Sequence, residues 1–433
     1  MNVGVCCANI AAIIDEFKSR HSEESAADLD ARIVEAYRAD AKEQIAAMAA
    51  SVAEGCKDCG VECHRLISIE SCAGRISFRC PYTPGAGLAE IALGRLGCEK
   101  KEIRATPEAR RIVAETSAQM DSFQEAGDFL KKNIGIDLSV SSIIMVTRKA
   151  AEKTRMAWLD DSLVANGKII PRRKLPKGAK YVGPTMIIEV DGTCAPCTHA
   201  DTEGIKGKET DEAGSREIKV VAIGIYTHVD KTGRPILQQG DVWYYASECS
   251  CNDLESFMNR LARRRGIGKV QRVQFIGDGA AWIQKIWEHA FKNCGAIRTL
   301  DFVHATSYLH KLLESLSCDG QLAEDYRRFK GILKKYGGTS LFKNLKKKFG
   351  SGLDEVKGDA ATALSYLSER LWMMDYRSLR KNGYYIGSGI IESACKTIVG
   401  ARCKLAGMHW RHTNAAGIAL LRATLRSNFK IVA

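Results

Sequence analysis

The stretch MIIEVDGT, Met186 to Thr193, places the tightest constraint on the fold: an apolar run rich in Ile, closed by a carboxylate and a glycine. A run of this kind reads as a buried strand, and the glycine after Asp191 as its end, so Asp191 is expected at the strand's C-terminal tip. Downstream, VQRVQFIGDGAAW repeats the pattern and presents Asp278 between two glycines. If the two strands are parallel neighbours, both carboxylates reach one sheet edge, where divalent ions that prefer oxygen ligands could be held.

The chain between and after them supplies the rest of a sheet. A polar loop with Gly204, Gly207 and Gly214 leads to REIKVVAIGIYTHVD, a turn at KTGRP, and DVWYYAS. Connections this short predict an antiparallel meander. Asn252, with Glu255 three residues on, is expected to cap a helix that Arg265-Gly266 ends. The Asp278 strand follows, then a helix from Ala280 to Asn293 and a fifth strand, AIRTLD, ending in Asp301. The order β-β-β-α-β-α-β predicts an α/β fold with a ribonuclease-H-like mixed sheet, the fourth strand parallel to the first and beside it. Asp301 then lies one strand further out, about 4.8 Å away, and is expected to orient His304 or a metal-bound water.

From about Ala305 to Asn382 the chain reads as a basic helical insertion, in which Lys346, Lys347 and Lys348 could track a phosphate backbone or form a solvated face. In GSGIIESACKTIVG, Ser388 is expected to cap a helix whose apolar face excludes Glu392, with Lys396 one turn later. Three carboxylates in this order suit two-metal phosphoryl transfer. Two ions about 4 Å apart would be held with Asp191 bridging and Asp278 and Glu392 taking one each, Lys396 meeting a phosphate. Glu189, on the same strand face as Asp191, is read as buried and paired, or else as a further ligand.

The N-terminal part has a different character. Asp28 to Glu54 is Ala-rich with apolar residues at helical spacing, and Gly55 stops it. The next stretch carries Cys56, Cys59, Cys63, His64, Cys72 and Cys80; the first pair has zinc-knuckle spacing, with Cys80 in the second half. Between Thr106 and Arg155 the reading is helical, broken at Gly127 and Gly135, with Ser139 or Ser141 capping a segment similar to the second half of a helix-turn-helix. The basic stretch Lys168 to Tyr181 marks a domain boundary. With 64 Lys plus Arg against 51 Asp plus Glu, the net charge of +13 favours a polyanionic partner. Sixteen scattered cysteines are not a disulfide scaffold, and Cys194 and Cys197 read as incidental. No apolar run approaches the roughly 20 residues that span a bilayer, so a cytoplasmic protein is expected.

The pieces VDGT, GDGAAWI, LDFVHA and GSGIIESACKTIVGARCKLAGMHW together resemble the bacterial insertion-sequence transposases of the ISKra type, from roughly Tyr181 to the C-terminus. The resemblance implies Asp191, Asp278 and Glu392 as the catalytic Asp, Asp, Glu set and as ligands of two Mg²⁺ (or Mn²⁺) ions. It also implies double-stranded DNA as partner, both element ends and target, with Lys396 and Arg402 at the DNA, and a homo-oligomer of at least two chains. Zinc on Cys56, Cys59 and Cys80 is a further expectation, although that family carries a fuller pair of C-x-x-C motifs. The expected organisation is a helical segment (1–55), a zinc-ribbon-like module (56–105), a helical DNA-binding region (106–170), a catalytic core (181–304), a basic helical insertion (305–385) and the last part of the core with the Glu392 helix (386–433). A domesticated DNA-binding protein that no longer cuts, or a ribonuclease-H-like nuclease, are the competing readings.

Overall fold

The computed structural model describes residues 12–13, 26–56, 63–98, 103–160, 162–165, 174–206, 214–238 and 240–433. Cys59, Gly207 and the basic stretch 168–173 lie outside them. The chain forms two compact units, Met1–Ala157 with Ile431–Ala433, and Trp158–Lys430, dividing ahead of the boundary expected near residue 168.

In the first unit, α1 (Ala26–Glu54) is followed by the antiparallel hairpin β1 (Cys63–Ser71) and β2 (Gly74–Tyr82). Along β2 burial alternates residue by residue, as a strand with one covered face requires. Ile67, Ile69, Ile76 and Phe78 pack with Ala49 and Ala53 of α1 and with α2 (Leu88–Arg95), and the thiols of Cys56 and Cys80 lie in this same apolar core. Cys63 and Cys72 are exposed. Next come α3 (Pro107–Gln119), α4 (Phe123–Asn133) and α5 (Val140–Leu159). Gly127 does not break the chain; it lies inside α4, where a Cβ would come within 3.0 Å of Ile143 Cδ1, so its missing side chain admits α5. The break falls at Met120–Ser122, where Ser122 caps α4 by accepting from Glu125 N–H at 2.9 Å. Gly135 does break it, at φ 84°, and Ser139 accepts from Ser142 N–H at the start of α5.

The second unit is mixed α/β. Its five-stranded sheet comprises β3 (Lys180–Pro196), β4 (Ser215–Val229), β5 (Val242–Ser247), β6 (Arg272–Gly277) and β7 (Ile297–Leu300), in spatial order β5-β4-β3-β6-β7. The first three strands are antiparallel; β6 runs parallel to β3, and β7 parallel to β6. Every residue from Met186 to Val190 is buried, as expected for a central strand covered on both faces. Gly192 does not end β3, which stays paired with β4 as far as Pro196 against Ser215. A Cβ on Gly192 would collide with the Glu217 side chain, so the glycine serves that close approach. The helix α6 (Cys251–Arg265) is capped by Ser250 rather than Asn252, and Gly266 ends it in the left-handed region at φ 94°. Between β6 and β7 runs α7 (Ala281–Ile286), continued by a wider turn over Trp287–Phe291.

The insertion is helical: α8 (Phe302–Leu316), α9 (Leu322–Tyr336), α10 (Gly338–Phe349), α11 (Gly358–Glu369) and α12 (Tyr376–Lys381). Leu309, Leu312, Phe329, Leu333, Leu345 and Leu367 close its own core, each buried leucine contributing roughly 1.5–3 kcal/mol. The chain then returns as α13 (Gly389–Ala394), which continues without interruption through a π-helical turn, Cys395–Gly400, to Cys403. Ser388 occupies the cap position, but its side chain makes no capping bond. The final helix is α14 (His412–Arg426). Among the described residues no helix is long and apolar enough to cross a membrane.

Candidate active site

The register of the parallel strands fixes the site. Pairing of β3 with β6 ends at Glu189 against Ile276, so Asp191 and Asp278, each two residues further on, come to the same level of adjacent strands. Asp191 is half-buried, and its Oδ1 accepts from Gly192 N–H at 2.8 Å. Burial pushes its carboxyl up to about 6, the Gly192 bond opposes this, the Asp278 carboxylate adds to it, and His304 opposes it. Asp278 Oδ1 accepts from Ala280 N–H at 2.9 Å. Neither aspartate is ion-paired with Lys or Arg among the described residues.

Asp301, at the end of β7, is completely buried and already committed. Its Oδ2 accepts from the backbone N–H of His304 at 2.8 Å and faces His304 Nδ1 at 2.9 Å, while Oδ1 accepts from Ser388 N–H at 2.7 Å. Burial works against ionisation there, but these bonds outweigh it and hold the carboxyl below its ordinary range. His304 is shifted upward, first by its bond to Asp301; burial opposes, and the charges of Asp301, Asp278 and Asp191 reinforce. A carboxylate that holds an imidazole, and favours its protonated form, within reach of the charges of two further carboxylates is the arrangement present.

Glu392 is half-buried on α13 and lines a cavity of about 810 Å³ with Phe302, Tyr385, Arg234, Lys334 and Arg380. Its helix is tied to β3 by Glu189, whose Oε2 accepts from Ile391 N–H at 2.8 Å. Glu189 is fully buried, and its other oxygen has no hydrogen-bond partner among the described residues. Burial pushes its carboxyl up to about 8; the Ile391 N–H opposes this, and the charges of Asp301 and Glu392 add to it. The charge of Glu392 therefore reaches Glu189, and it also reaches Cys395, which feels Asp191 as well. Among the described residues no three carboxylate, thiol or imidazole groups are gathered into one metal cluster. Asp191 and Asp278 share one level of the sheet edge and sense each other's charge, and Glu392 lies on the helix that Glu189 ties to β3.

The basic residues divide. Lys396, Lys346 and Lys347 are exposed. Lys348 is bound to the buried Asp325 carboxylate, which gives it a structural partner. Arg402 corrects the expectation that it faces DNA: it is 1% exposed, with its guanidinium 4.9 Å from the centre of the Trp410 ring. Lys404, also exposed, donates to Thr193 Oγ1 at 2.6 Å, two residues from Asp191. Sequence reasoning also missed Arg298, a buried cation in β7 that donates to the carbonyls of Asp278, at 2.5 Å, and Thr299, at 2.7 Å. Its only signal was a charge inside a short buried strand. Cys194 is exposed and Cys197 buried, its Sγ donating to Ala195 O at 3.4 Å; both are free thiols. Comparison with known proteins gives no match, neither to a protein-family model nor to a curated sequence.

Proposed function

We propose that the second unit is a ribonuclease-H-like catalytic domain and that the chain is a DNA transposase, binding the ends of a mobile element and carrying out metal-dependent strand cleavage and strand transfer. The observation that carries this reading is the placement of Asp191 and Asp278 at one level of adjacent parallel strands, close enough for one charge to raise the other's pKa. The sheet order β5-β4-β3-β6-β7, with three antiparallel strands followed by two parallel ones, supports it. So does the +13 charge of the chain.

Two carboxylates without a Lys or Arg partner among the described residues, one disfavoured in its charged form, fit a divalent cation of the Mg²⁺ class, which takes few protein ligands. When bound, such ions supply positive charge for the attacking and leaving oxygens of an in-line displacement. Asp191 and Asp278 would hold them, with Glu392 as the third ligand. Asp301 fixes the ring of His304 beside the aspartates, and Glu189 fixes the helix of Glu392. Lys396 and the exposed lysines of α10 would meet phosphates, a contact weakened by salt.

The test is cleavage of labelled duplex carrying candidate element ends, with Mg²⁺ or Mn²⁺, by the full chain and by Asp191→Ala, Asp278→Ala and Glu392→Ala. All three substitutions are expected to abolish cleavage and to leave DNA binding within about twofold. A transposase-derived DNA-binding protein would bind the same duplexes and cut none of them under any metal condition.

A further inference from the structure

The turn that presents Asp278 is held by the helical insertion. Gly279 N–H donates to Tyr366 Oη at 3.0 Å, and Arg370 Nη2 donates to Gly279 O at 3.0 Å. Both backbone groups of one residue are thus satisfied by side chains from α11 and the residue just after it. The neighbouring groups are taken as well: Asp278 O by Arg298, and Gly277 O by Arg298 at 3.3 Å and by Asp301 N–H at 3.1 Å. A backbone accounted for this fully has little freedom to reorient its side chain.

Sequence and packing make the arrangement specific to glycine at 279. A Cβ there would lie 2.2 Å from Arg370 Nε and 2.7 Å from Tyr366 Cε2, so only glycine lets the two side chains reach the main chain. Tyr366 is itself fixed, its ring stacked on Tyr308 with centroids 3.6 Å apart and planes 9° from parallel. The Arg370 guanidinium sits 4.2 Å from the Tyr366 ring centre, and its Nη1 donates to Tyr366 O at 3.0 Å. Burial pushes the Tyr366 hydroxyl up to about 12, so it stays neutral and able to accept.

From this geometry we propose that Tyr366 and Arg370 are positioning residues, through which the helical insertion fixes the Gly279 backbone and holds the Asp278 carboxylate toward Asp191. The proposal rests on Asp278 being a metal ligand. It gives the insertion a task in the chemistry besides any contact with DNA, because a shift of α11 moves the Asp278 turn. Preorganisation of a ligand by the groups behind it is where metal affinity is set.

Tyr366→Phe removes the acceptor and keeps the ring on Tyr308. In the full chain, hydrogen exchange of a peptide spanning residues 277–282 is expected to quicken about tenfold, the equivalent of one lost hydrogen bond, while exchange in β3 and β4 stays as it was. The Mn²⁺ concentration giving half-maximal cleavage is expected to rise about tenfold with DNA affinity unchanged, since second-layer partners of metal ligands change affinity by about 10- to 100-fold. Gly279→Ala, which expels both side chains, should reproduce both changes. Exchange within twofold of wild type in Tyr366→Phe overturns the clamp. Faster exchange with an unchanged Mn²⁺ requirement overturns the positioning role. If the wild-type chain cuts no DNA, the exchange measurement still decides the clamp, and it is the reading of Asp278 as a catalytic ligand that falls.

Discussion

Replacing Glu189 by Gln gives a sharp test of the electrostatics behind the sheet edge. Glu189 is fully buried and pushed from 4.5 to about 8, with Ile391 N–H as hydrogen-bond donor and one oxygen unpartnered. Between those two values the folded chain keeps the proton and the unfolded chain has lost it, so stability falls as pH rises from about 4.5 to about 8 and is level above. A shift of this size corresponds to roughly 4–5 kcal/mol, at about 1.4 kcal/mol per unit. Gln keeps the acceptor for Ile391 and has nothing to ionise. Its amide nitrogen takes the place of the unpartnered oxygen, at a pH-independent cost of about 1–3 kcal/mol. Glu189→Gln is therefore expected to be less stable than wild type near pH 5 and more stable, by about 2–3 kcal/mol, near pH 8. Thermal unfolding in EDTA across this range reads the difference, at roughly 2–4 °C per kcal/mol for a unit of this size. Titrating groups that do not sense Glu189 are common to both proteins and cancel, which leaves Asp301 and Glu392, the carboxylates whose charges reach it. Melting curves that run parallel from pH 5 to pH 8 would refute the reasoning, because they would mean that Glu189 does not change its ionisation on folding.

Further expectations concern other parts of the chain. Asp301→Ala should leave reduced but measurable cleavage and lower stability by about 2–4 kcal/mol, since it strips partners from Ser388 N–H and His304; full loss of cleavage in a well-folded Asp301→Ala protein, with Asp278→Ala still cutting, would move the ligand assignment to Asp301. Charge reversal at Lys346 and Lys347 should weaken binding to all duplexes alike and lower the salt slope by about one per lysine, whereas Lys348→Glu should show mainly as a lower melting temperature because it unpairs buried Asp325; a sequence-selective loss would contradict a phosphate role. A structural zinc on Cys56, Cys59 and Cys80 predicts about one zinc per chain, lost when Cys56 and Cys59 become Ser; metal-free protein with an unchanged melting temperature would exclude it.

What could be read from the sequence follows from which forces are local. Strand identity was legible in Met186–Val190 as an apolar run interrupted only by Glu189 and in Arg272–Gly277 as an alternating stretch that turns apolar, and the stop at Gly266 because left-handed backbone favours glycine. The end of β3 was misread for a tertiary reason: Gly192 looks like a terminator, yet it stays in the strand to make room for Glu217. Gly127 was misread for the same reason, with Ile143 as the neighbour. A contact between Asp301 and His304 was expected from the place of Asp301 one strand out, and the two side chains are bonded. The ties made by Glu189, Arg298, Tyr366 and Arg370 join residues far apart in the chain, so no local pattern announces them.

The π-helical turn at Cys395–Gly400 has a consequence for how the segment around Glu392 is read. A helix is a screw, and ten residues of uniform α-helix carry Arg402 to about 80° from Glu392, the same broad side. A π turn holds one extra residue, which sets the thread back by about 100° and leaves Arg402 roughly opposite. That phase change is why Arg402 lies under Trp410 while Lys396, before the end of the turn, stays in solvent. A single helical wheel drawn through residues 389–403 therefore sorts them wrongly. Two wheels are needed, one for the stretch that serves the carboxylate and another for the stretch that serves the core.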